Sequence, residues 1–363
     1  MEKKIIKNKT SITKILENTG IEGHTLLLLA IFVVLTLFFS LAGRGFLTMR
    51  SITSMAFQLP EIGVLAIAMM LTIMIGGINL SVNATANLGA VFSGYFLFKT
   101  FPPEATGQIA QIFTQINMPA DAPTMYFIIA LLIPLVVGFI SGVINGLLVG
   151  YIGVPPILAT LATLSLFTGI STGLTGGRTI TGFPSQFEYI GTQTLIGVPI
   201  PFLIFLVLTV IIYIILNHTT FGFKMRMLGS NPTASKFSGI ENKSVIMNTY
   251  IISGVLSSIA GIIIMSRTMS AAYEYGASVY VLLTILIAVL AGVQHGSGNV
   301  INVFIGVIIL QILSTGFHMV LLGVRGSSFF KDFSWGILLI VIFIINYYTR
   351  GKTRAPKKRE IIT

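Results

Sequence analysis

The segment TTFGFKMRMLGSNPTASKFSGIENKS, Thr219 to Ser244, interrupts a chain that is otherwise strongly apolar. It is the longest polar and basic stretch inside the sequence, and we call it the basic island. Its single acid, Glu241, is outnumbered by Lys224, Arg226, Lys236 and Lys243. Over all 363 residues, 54% are hydrophobic and only 9% are charged, whereas a soluble domain has about 25% charged residues. The sequence therefore predicts an all-α, polytopic membrane protein.

The middle of the basic island predicts one short helix. Asn231 can cap the first turn, and Pro232 suits the first helical position, where the missing N–H is tolerated. Thr233 to Ser238 would form the body of this helix, and Gly239 suits the left-handed residue that follows a helix.

The apolar residues of this short helix are few and lie on one side. Ala234, Phe237 and Ile240 are spaced by three residues, which gives a narrow apolar face. Held between membrane spans on the basic side, such a helix is typical of a docking element for another protein. The alternative is an ordinary cytoplasmic loop that folds on itself.

The net charge of +11 would suggest nucleic acid in a soluble protein. Here the basic residues cluster in short segments outside the apolar runs, so orientation in the membrane and contact with lipid headgroups explain them better, and no nucleic-acid partner is expected. The absence of cysteine excludes disulfides, thiolate metal sites and a cysteine nucleophile.

The apolar runs predict about ten transmembrane helices. They are His24–Ala42, Glu61–Ile75, Val82–Phe98, Met125–Tyr151, Pro156–Thr172, Pro201–Leu216, Val245–Met265, Ser278–Leu290, Val300–Phe317 and Phe333–Tyr348. The second run begins after Pro60 and is short for a full crossing, and the preceding piece, Ser51–Leu59, is only mildly amphipathic. The chain thus divides into a basic tail (1–20), a transmembrane domain (21–349) with a cytoplasmic loop at 217–244, and a second basic tail (350–363).

The basic residues also predict the orientation. Of the 22 Lys and Arg, 15 lie in the two tails and the basic island, which ten crossings place on one side of the membrane. The positive-inside tendency makes that side cytoplasmic, with both termini inside.

Each half of the chain contains a short apolar run that ends in small residues, Gly76-Gly77 in the first half and Ala291-Gly292 in the second. Paired short or glycine-broken spans in the two halves of a transporter indicate a path near the middle of the membrane. Chance is the alternative, because the chain has 37 glycines.

The first of these breaks opens the segment GGINLSVNATAN, Gly76 to Asn87. Asn79, Asn83 and Asn87 recur every four residues and form a polar stripe on a helix, with Ser81 close by. Neutral donors and acceptors suit a route for a neutral polyhydroxy molecule. Three alternatives are hydrogen bonds between helices, repair of backbone groups freed at the glycine break, and capping of the following helix by Asn79.

Glu61 is the one acid near the interior of a predicted span. We place it at the first turn of its helix, where an acid suits the helix dipole. A proton-coupled carrier would need such an ionisable residue deep in the membrane, and the predicted spans contain no deep Lys or Arg to pair with it.

No motif for catalysis is present. The sequence contains no HExxH, no GxSxG and no GxxxxGK[ST] motif. It therefore predicts no zinc-dependent hydrolase site, no serine nucleophile of the hydrolase type and no ATP binding by the usual phosphate loop. Gly138, Gly142, Gly146 and Gly150 recur every four residues and predict tight helix packing.

Two motifs give the chain a family resemblance. It resembles the membrane permeases of bacterial ABC importers for sugars, of the ribose, xylose and galactose type, over about residues 25–348. GGINLSVNA (Gly76–Ala84) is similar to the family signature GGIDLSVG, and Thr219–Ile240 is similar to the family's cytoplasmic coupling loop. The LSV run agrees with the sugar branch rather than with the relatives for nucleosides or branched-chain amino acids.

The resemblance implies partners and site residues. Two permease subunits, identical or paralogous, would enclose a path in the bacterial inner membrane. An extracytoplasmic binding protein would deliver the solute, and separate ATPase subunits would bind ATP, so that this chain itself has no cofactor and no enzymatic activity. The expected substrate-path residues are Glu61, Asn79, Ser81, Asn83 and Asn87. The expected ATPase-coupling residues are Gly222, Gly229, Asn231, Ala234, Phe237, Ser238 and Gly239.

The chain departs from the family pattern at two places. Asn79 stands where the family has Asp. The segment Ala291–Val300, AGVQHGSGNV, matches the family's glycine-rich stretch only in part, which suggests a paralogous partner permease. Solutes such as a furanone quorum signal or a nucleoside are alternatives within the family. A secondary carrier or channel that works without ATP is the alternative outside it.

Overall fold

The computed structural model describes residues 23–43, 45–100 and 124–321, together with Phe333, 335–337 and Ile340. The helices in chain order are α1 Gly23–Ala42, α2 Met49–Met74, α3 Val82–Thr100, α4 Thr124–Gly146, α5 Pro156–Thr175, α6 Ser185–Thr192, α7 Ile200–His218, α8 Thr220–Ser230, α9 Pro232–Phe237, α10 Asn242–Thr268, α11 Ala277–Leu290 and α12 Val300–Val320. A π-helical turn, Leu147–Ile152, continues α4. The predicted all-α class is confirmed. The two tails and most of the tenth predicted span lie outside the described residues.

Seven of the described helices are long and apolar enough to cross a membrane. They are α1, α2, α4 with its π-turn, α5, α7, α10 and α12. Two further predicted spans coincide with α3, which carries the asparagine stripe, and with α11, which has only 14 residues. The short eighth run of the sequence is therefore a short helix in the structure.

The prediction for the second span was wrong. Glu61–Ile75 is not a separate short run, because α2 begins at Met49 and continues through Pro60 for 26 residues, or about 39 Å. Pro60 costs one backbone hydrogen bond, but the surrounding helices bury it, and packed spans tolerate such a residue. The polar residues Arg50, Ser54 and Gln58 therefore belong to the same helix as the apolar half.

Glycines hold α4 and α10 together along a close seam. A Cβ atom at Gly138 would lie 2.4 Å from the Gly254 carbonyl oxygen, and one at Gly142 would lie 2.5 Å from Ile251 Cα. Gly146 and Gly150 face the same helix, at Met247 and Ile246. The four-residue glycine repeat is thus a packing surface, as the sequence predicts.

Both glycine breaks end a helix and meet each other. Gly76 follows α2 with φ +90°, and Gly292 follows α11 with φ +72°, a conformation that favours glycine. The Gly296 N–H in the second break donates to the Met74 carbonyl oxygen over 2.8 Å. Corresponding positions in the two halves therefore come together at one end of the helix bundle.

Two short antiparallel ribbons lie at the opposite end. β1 (Ile180–Thr181), between α5 and α6, pairs with β4 (Ser270–Ala271), which follows α10. β2 (Thr194–Leu195) pairs with β3 (Val198–Pro199) just before α7. These ribbons fasten the loops at the end of the bundle that is remote from the basic island.

Candidate functional site

The asparagine stripe lies at the start of α3 and is buried along its length. Asn79 Oδ1 accepts from the Ser81 N–H over 3.1 Å and from Ser81 Oγ over 2.7 Å, while Asn79 Nδ2 donates to Ser253 Oγ over 3.1 Å. Asn79 therefore organises the entry into α3 and also contacts α10, which is the arrangement of a turn residue that links two helices.

The other two stripe residues hold the loop between α10 and α11. Asn83 Nδ2 donates to the Tyr275 carbonyl oxygen over 2.9 Å, and Asn87 Nδ2 donates to the same oxygen over 3.0 Å and to the Tyr273 carbonyl oxygen over 3.3 Å. These partly buried carbonyls gain from such donors, because an unpaired backbone group is costly away from water. The stripe thus fixes the chain between α10 and α11.

A neighbouring polar group was missed in the sequence. Asn145 of α4 donates from Nδ2 to Ser81 Oγ over 2.9 Å and accepts at Oδ1 from Thr163 Oγ1 over 2.7 Å. In the sequence, this group was indicated by one carboxamide residue, Asn145, within the apolar run Met125–Tyr151. The structure brings Asn79, Ser81 and Asn145 into one buried network.

Glu61 lies in the middle of α2 and not at a first turn, so that prediction was wrong. Its carboxylate forms an ion pair with Arg267 Nε in the last turn of α10 and accepts at Oε2 from the Tyr280 hydroxyl over 3.0 Å. Arg267 also donates from a terminal nitrogen to the Tyr275 hydroxyl over 3.0 Å. The expectation that no deep basic residue pairs with Glu61 is therefore also wrong. The predicted seventh span ended at Met265, two residues too early to include Arg267.

The loop tyrosine next to this pair stays protonated. Burial raises the pKa of the Tyr275 hydroxyl above its ordinary value, and the nearby Glu61 carboxylate acts in the same direction. The hydroxyl therefore remains a neutral partner of Arg267 at neutral pH.

The basic island folds as two helices, α8 and α9. The predicted short helix is confirmed as α9, where Asn231 Oδ1 accepts from the N–H groups of Thr233 and Ala234, each over 3.0 Å. The preceding helix α8 was not predicted. Gly239 follows α9 with φ +78°, as its position suggested, and Ser238 Oγ donates to the Ala234 carbonyl oxygen over 3.0 Å.

The predicted apolar face of α9 is largely uncovered. Phe237 is 88% exposed and Ala234 is exposed, whereas Ile240 packs against the core. Asn242, the first residue of α10, holds the back of α9 by accepting from Ser235 Oγ over 2.8 Å and donating to the Pro232 carbonyl oxygen over 2.9 Å. The helix is therefore rigidly mounted and presents an aromatic side chain outward.

Two glycines bring α8 against the membrane helices. A Cβ at Gly222 would lie 2.2 Å from the Leu216 carbonyl oxygen, so the bend between α7 and α8 requires glycine. A Cβ at Gly229 would lie 1.9 Å from the Met74 carbonyl oxygen and 2.4 Å from the Gly296 nitrogen. The basic island thus contacts the point where the two glycine breaks meet, and we call this contact the break junction.

Within 23–43, 45–100 and 124–321 and the few described residues beyond them, no three His, Asp or Glu side chains form a group that could hold a metal ion.

Comparison with known families agrees with this architecture. Residues 51–345 match the model of the family described as branched-chain amino acid transport system / permease component. The chain belongs to this permease family. The match covers the asparagine stripe, the basic island and both glycine breaks.

Among similar permeases, the ribose import permease protein RbsC of Bacillus subtilis is 31% identical over 317 residues, which are 86% of this chain and 89% of that protein. The autoinducer 2 import system permease protein LsrD of Yersinia pseudotuberculosis is 28% identical over 306 residues, 82% of this chain and 84% of that protein. LsrD of Yersinia enterocolitica is 28% identical over 303 residues, 80% of this chain and 84% of that protein. No solved structure matches the chain significantly.

Proposed function

We propose that this permease is the transmembrane subunit of an ATP-driven importer for a sugar or a similar neutral polyhydroxy solute. Its family membership and its similarity to a ribose permease support this assignment. The buried polar groups support it as well, because carboxamides and hydroxyls offer many hydrogen bonds and little net charge.

The proposed coupling to an ATPase depends on one observation: an exposed aromatic residue, Phe237, on the short helix α9. Phe237 is 88% exposed on α9, which is capped at Asn231 and fastened to α10. A partner protein that covers Phe237 would gain the burial of a large apolar side chain. We assign that partner as an ATPase subunit, which binds the ATP, and Lys236 beside Phe237 would favour an acidic rim on it.

The remaining partners are proposed from the family membership. A second permease subunit, identical or paralogous, would complete the path, and an extracytoplasmic binding protein would deliver the solute. The basic island and both tails would face the cytoplasm, next to the headgroups of the bacterial inner membrane.

For the solute path we propose the two polar sets of the transmembrane region. The first set is the asparagine stripe, Asn79, Asn83 and Asn87, together with Ser81. The second is the buried carboxylate of Glu61. The similarity to LsrD keeps autoinducer 2 as a second candidate solute. A proton-coupled carrier is less well supported, because Glu61 is held as the partner of Arg267.

Reconstitution into proteoliposomes tests the proposal. The chain is co-expressed with an ATPase subunit and an extracytoplasmic binding protein of a sugar importer from the same organism, and uptake is measured for ribose and a panel of neutral pentoses and hexoses. Uptake should require ATP and the binding protein. Uptake by the permease alone, driven by an ion gradient, would contradict the proposal.

The docking surface is tested by Phe237→Glu with Phe237→Leu as the matched control. We expect Phe237→Glu to abolish ATP-driven uptake while the protein still inserts, because a carboxylate replaces the apolar contact, and Phe237→Leu to retain uptake. Orientation is tested by Lys236→Cys, since the natural chain has no other thiol. This cysteine should react with an impermeant maleimide only from the cytoplasmic side.

A further inference from the structure

A polar stripe runs along the half of α2 that is remote from the basic island. Arg50, Ser54, Gln58 and Glu61 are spaced by four, four and three residues, which places them on one face of the helix. Gln58 Nε2 donates to Ser54 Oγ over 3.2 Å, and Gln311 Nε2 of α12 donates to Gln58 Oε1 over 3.3 Å. Polar side chains at successive turns of a span face a neighbour or a cavity rather than lipid.

Two spaces adjoin this stripe. One is an open groove of about 520 Å³, and its polar lining is Arg50, Thr53, Ser54, Gln58, Thr192 and Arg267. The other is a more enclosed chamber of about 70 Å³, and its polar lining is Gln58, Glu61, Arg267, Tyr280, Gln311 and Ser314. The groove has the size of a small-molecule pocket, roughly 300–1,000 Å³, whereas the chamber holds only about two water molecules.

The Glu61–Arg267 pair stands between the groove and the chamber. The Arg267 side chain lines both spaces and is 27% exposed, while the Glu61 side chain lines only the chamber and is 2% exposed. A charge pair in the apolar interior costs free energy unless its hydrogen bonds are satisfied, and here Tyr280 and Tyr275 supply them. Each member of the pair is therefore held by one tyrosine hydroxyl, Glu61 by Tyr280 and Arg267 by Tyr275.

We propose that this stripe is the outer binding site for a neutral polyhydroxy solute and that the Glu61–Arg267 pair closes it in the present conformation. The proposal rests on the function proposed above and adds to it the place where the solute first enters the membrane. Opening requires Arg267 to leave Glu61, which would join the groove to the chamber.

The chemistry of the pair selects the ligand class. Adjacent hydroxyls can donate to the Glu61 carboxylate and accept from the Arg267 guanidinium, and so replace the contacts that the two groups make with each other. A charged solute would satisfy one member and leave the other charge unpaired in the interior. Gln58, Gln311 and Ser314 add neutral donors and acceptors around a molecule that carries several hydroxyls.

Uptake by the reconstituted complex tests the proposal. The probe is labelled ribose, or whichever neutral sugar of the panel the wild type carries. Glu61→Gln should lower the maximal uptake rate by tenfold or more, and Gln58→Leu, at an exposed position that folding tolerates, by roughly two- to tenfold for one lost hydrogen bond. The binding protein sets the half-saturating concentration, which should stay unchanged in both variants.

An independent measurement follows access to the stripe. Gln58→Cys should react with an impermeant maleimide added outside sealed vesicles, the modification should stop uptake, and saturating sugar with binding protein should slow the reaction. Tyr189→Cys is the control, since Tyr189 is exposed on α6 and does not line the groove. Its rate should not depend on sugar.

The outcomes separate the two proposals. If wild-type protein shows ATP-driven sugar uptake but Glu61→Gln and Gln58→Leu both keep the full rate, the binding site is wrong and the importer function stands. The site is also wrong if Gln58→Cys is modified without loss of uptake. If the wild type needs neither ATP nor the binding protein, the importer function itself is wrong.

Discussion

Gly229→Ala is the sharpest test of the break junction. The new Cβ would lie 1.9 Å from the Met74 carbonyl oxygen, about 1 Å closer than the 3.0 Å below which real Cβ contacts essentially do not occur. Both neighbours are backbone atoms, so no side chain can rotate away. Helix α8 must therefore move outward, and the hydrogen bond from Gly296 to Met74 is strained or lost.

The sizes of the opposing energetic terms decide whether Gly229→Ala stabilises or destabilises the protein. Alanine favours a helix over glycine by about 1 kcal/mol, which would stabilise α8. Overpacking costs about 1–3 kcal/mol and the lost hydrogen bond about 0.5–1.5 kcal/mol. The sum is a net destabilisation of about 0.5–3.5 kcal/mol, concentrated where the basic island contacts both breaks.

The assay combines stability with transport. We expect Gly229→Ala to lower the midpoint of thermal unfolding in detergent and to lower ATP-driven uptake more than it lowers ATP hydrolysis, because α8 no longer contacts the membrane helices. Gly173→Ala in α5 is the control, since its Cβ would meet nothing within 4 Å. A Gly229→Ala protein with unchanged midpoint and unchanged uptake would refute the close contact on which this reasoning depends.

Three further variants test other parts of the structure. Gly142→Val places side-chain atoms against the α10 backbone, so little folded protein should survive gel filtration, whereas Gly169→Val, in open space, should behave as wild type. Asn231→Ala removes the acceptor of two backbone N–H groups and should weaken α9 by about 1 kcal/mol, lowering uptake without loss of insertion, and Asn231→Asp should restore it. Asn87→Ala leaves the Tyr273 carbonyl oxygen without its side-chain donor and the Tyr275 carbonyl oxygen with Asn83 alone, so it should lower the unfolding midpoint, at a cost of about 1–3 kcal/mol. A normal midpoint with reduced uptake would instead show that Asn87 contacts the solute.

Local signals in the sequence predicted much of this structure. The caps of α9, the glycine after it and the glycine seam depend on residues a few positions apart, and helix chemistry fixes their roles. The apolar runs likewise located most of the spans, because a helix needs about 20 apolar residues to cross a hydrocarbon core of roughly 30 Å.

The features that the sequence did not predict depend on contacts between residues far apart in the chain. Pro60 indicated a boundary, but packing against other helices keeps α2 continuous through it. Arg267 seemed to belong to a loop, and only the fold brings it to Glu61, which lies 206 positions earlier. Asn83 and Asn87 formed a clear stripe, yet nothing in their spacing identified the carbonyls of residues 273 and 275 as acceptors.

Helix α10 connects the two ends of the molecule. Its first residue, Asn242, is clamped to the helix that carries Phe237, and its last turn carries Arg267. A helix of 27 residues is a stiff rod about 40 Å long. Under the proposed coupling, a partner that tilts this rod at the basic island would also move the Arg267 guanidinium at the opposite end. The docking helix and the Glu61–Arg267 ion pair would then respond together, although they lie at opposite ends of one helix.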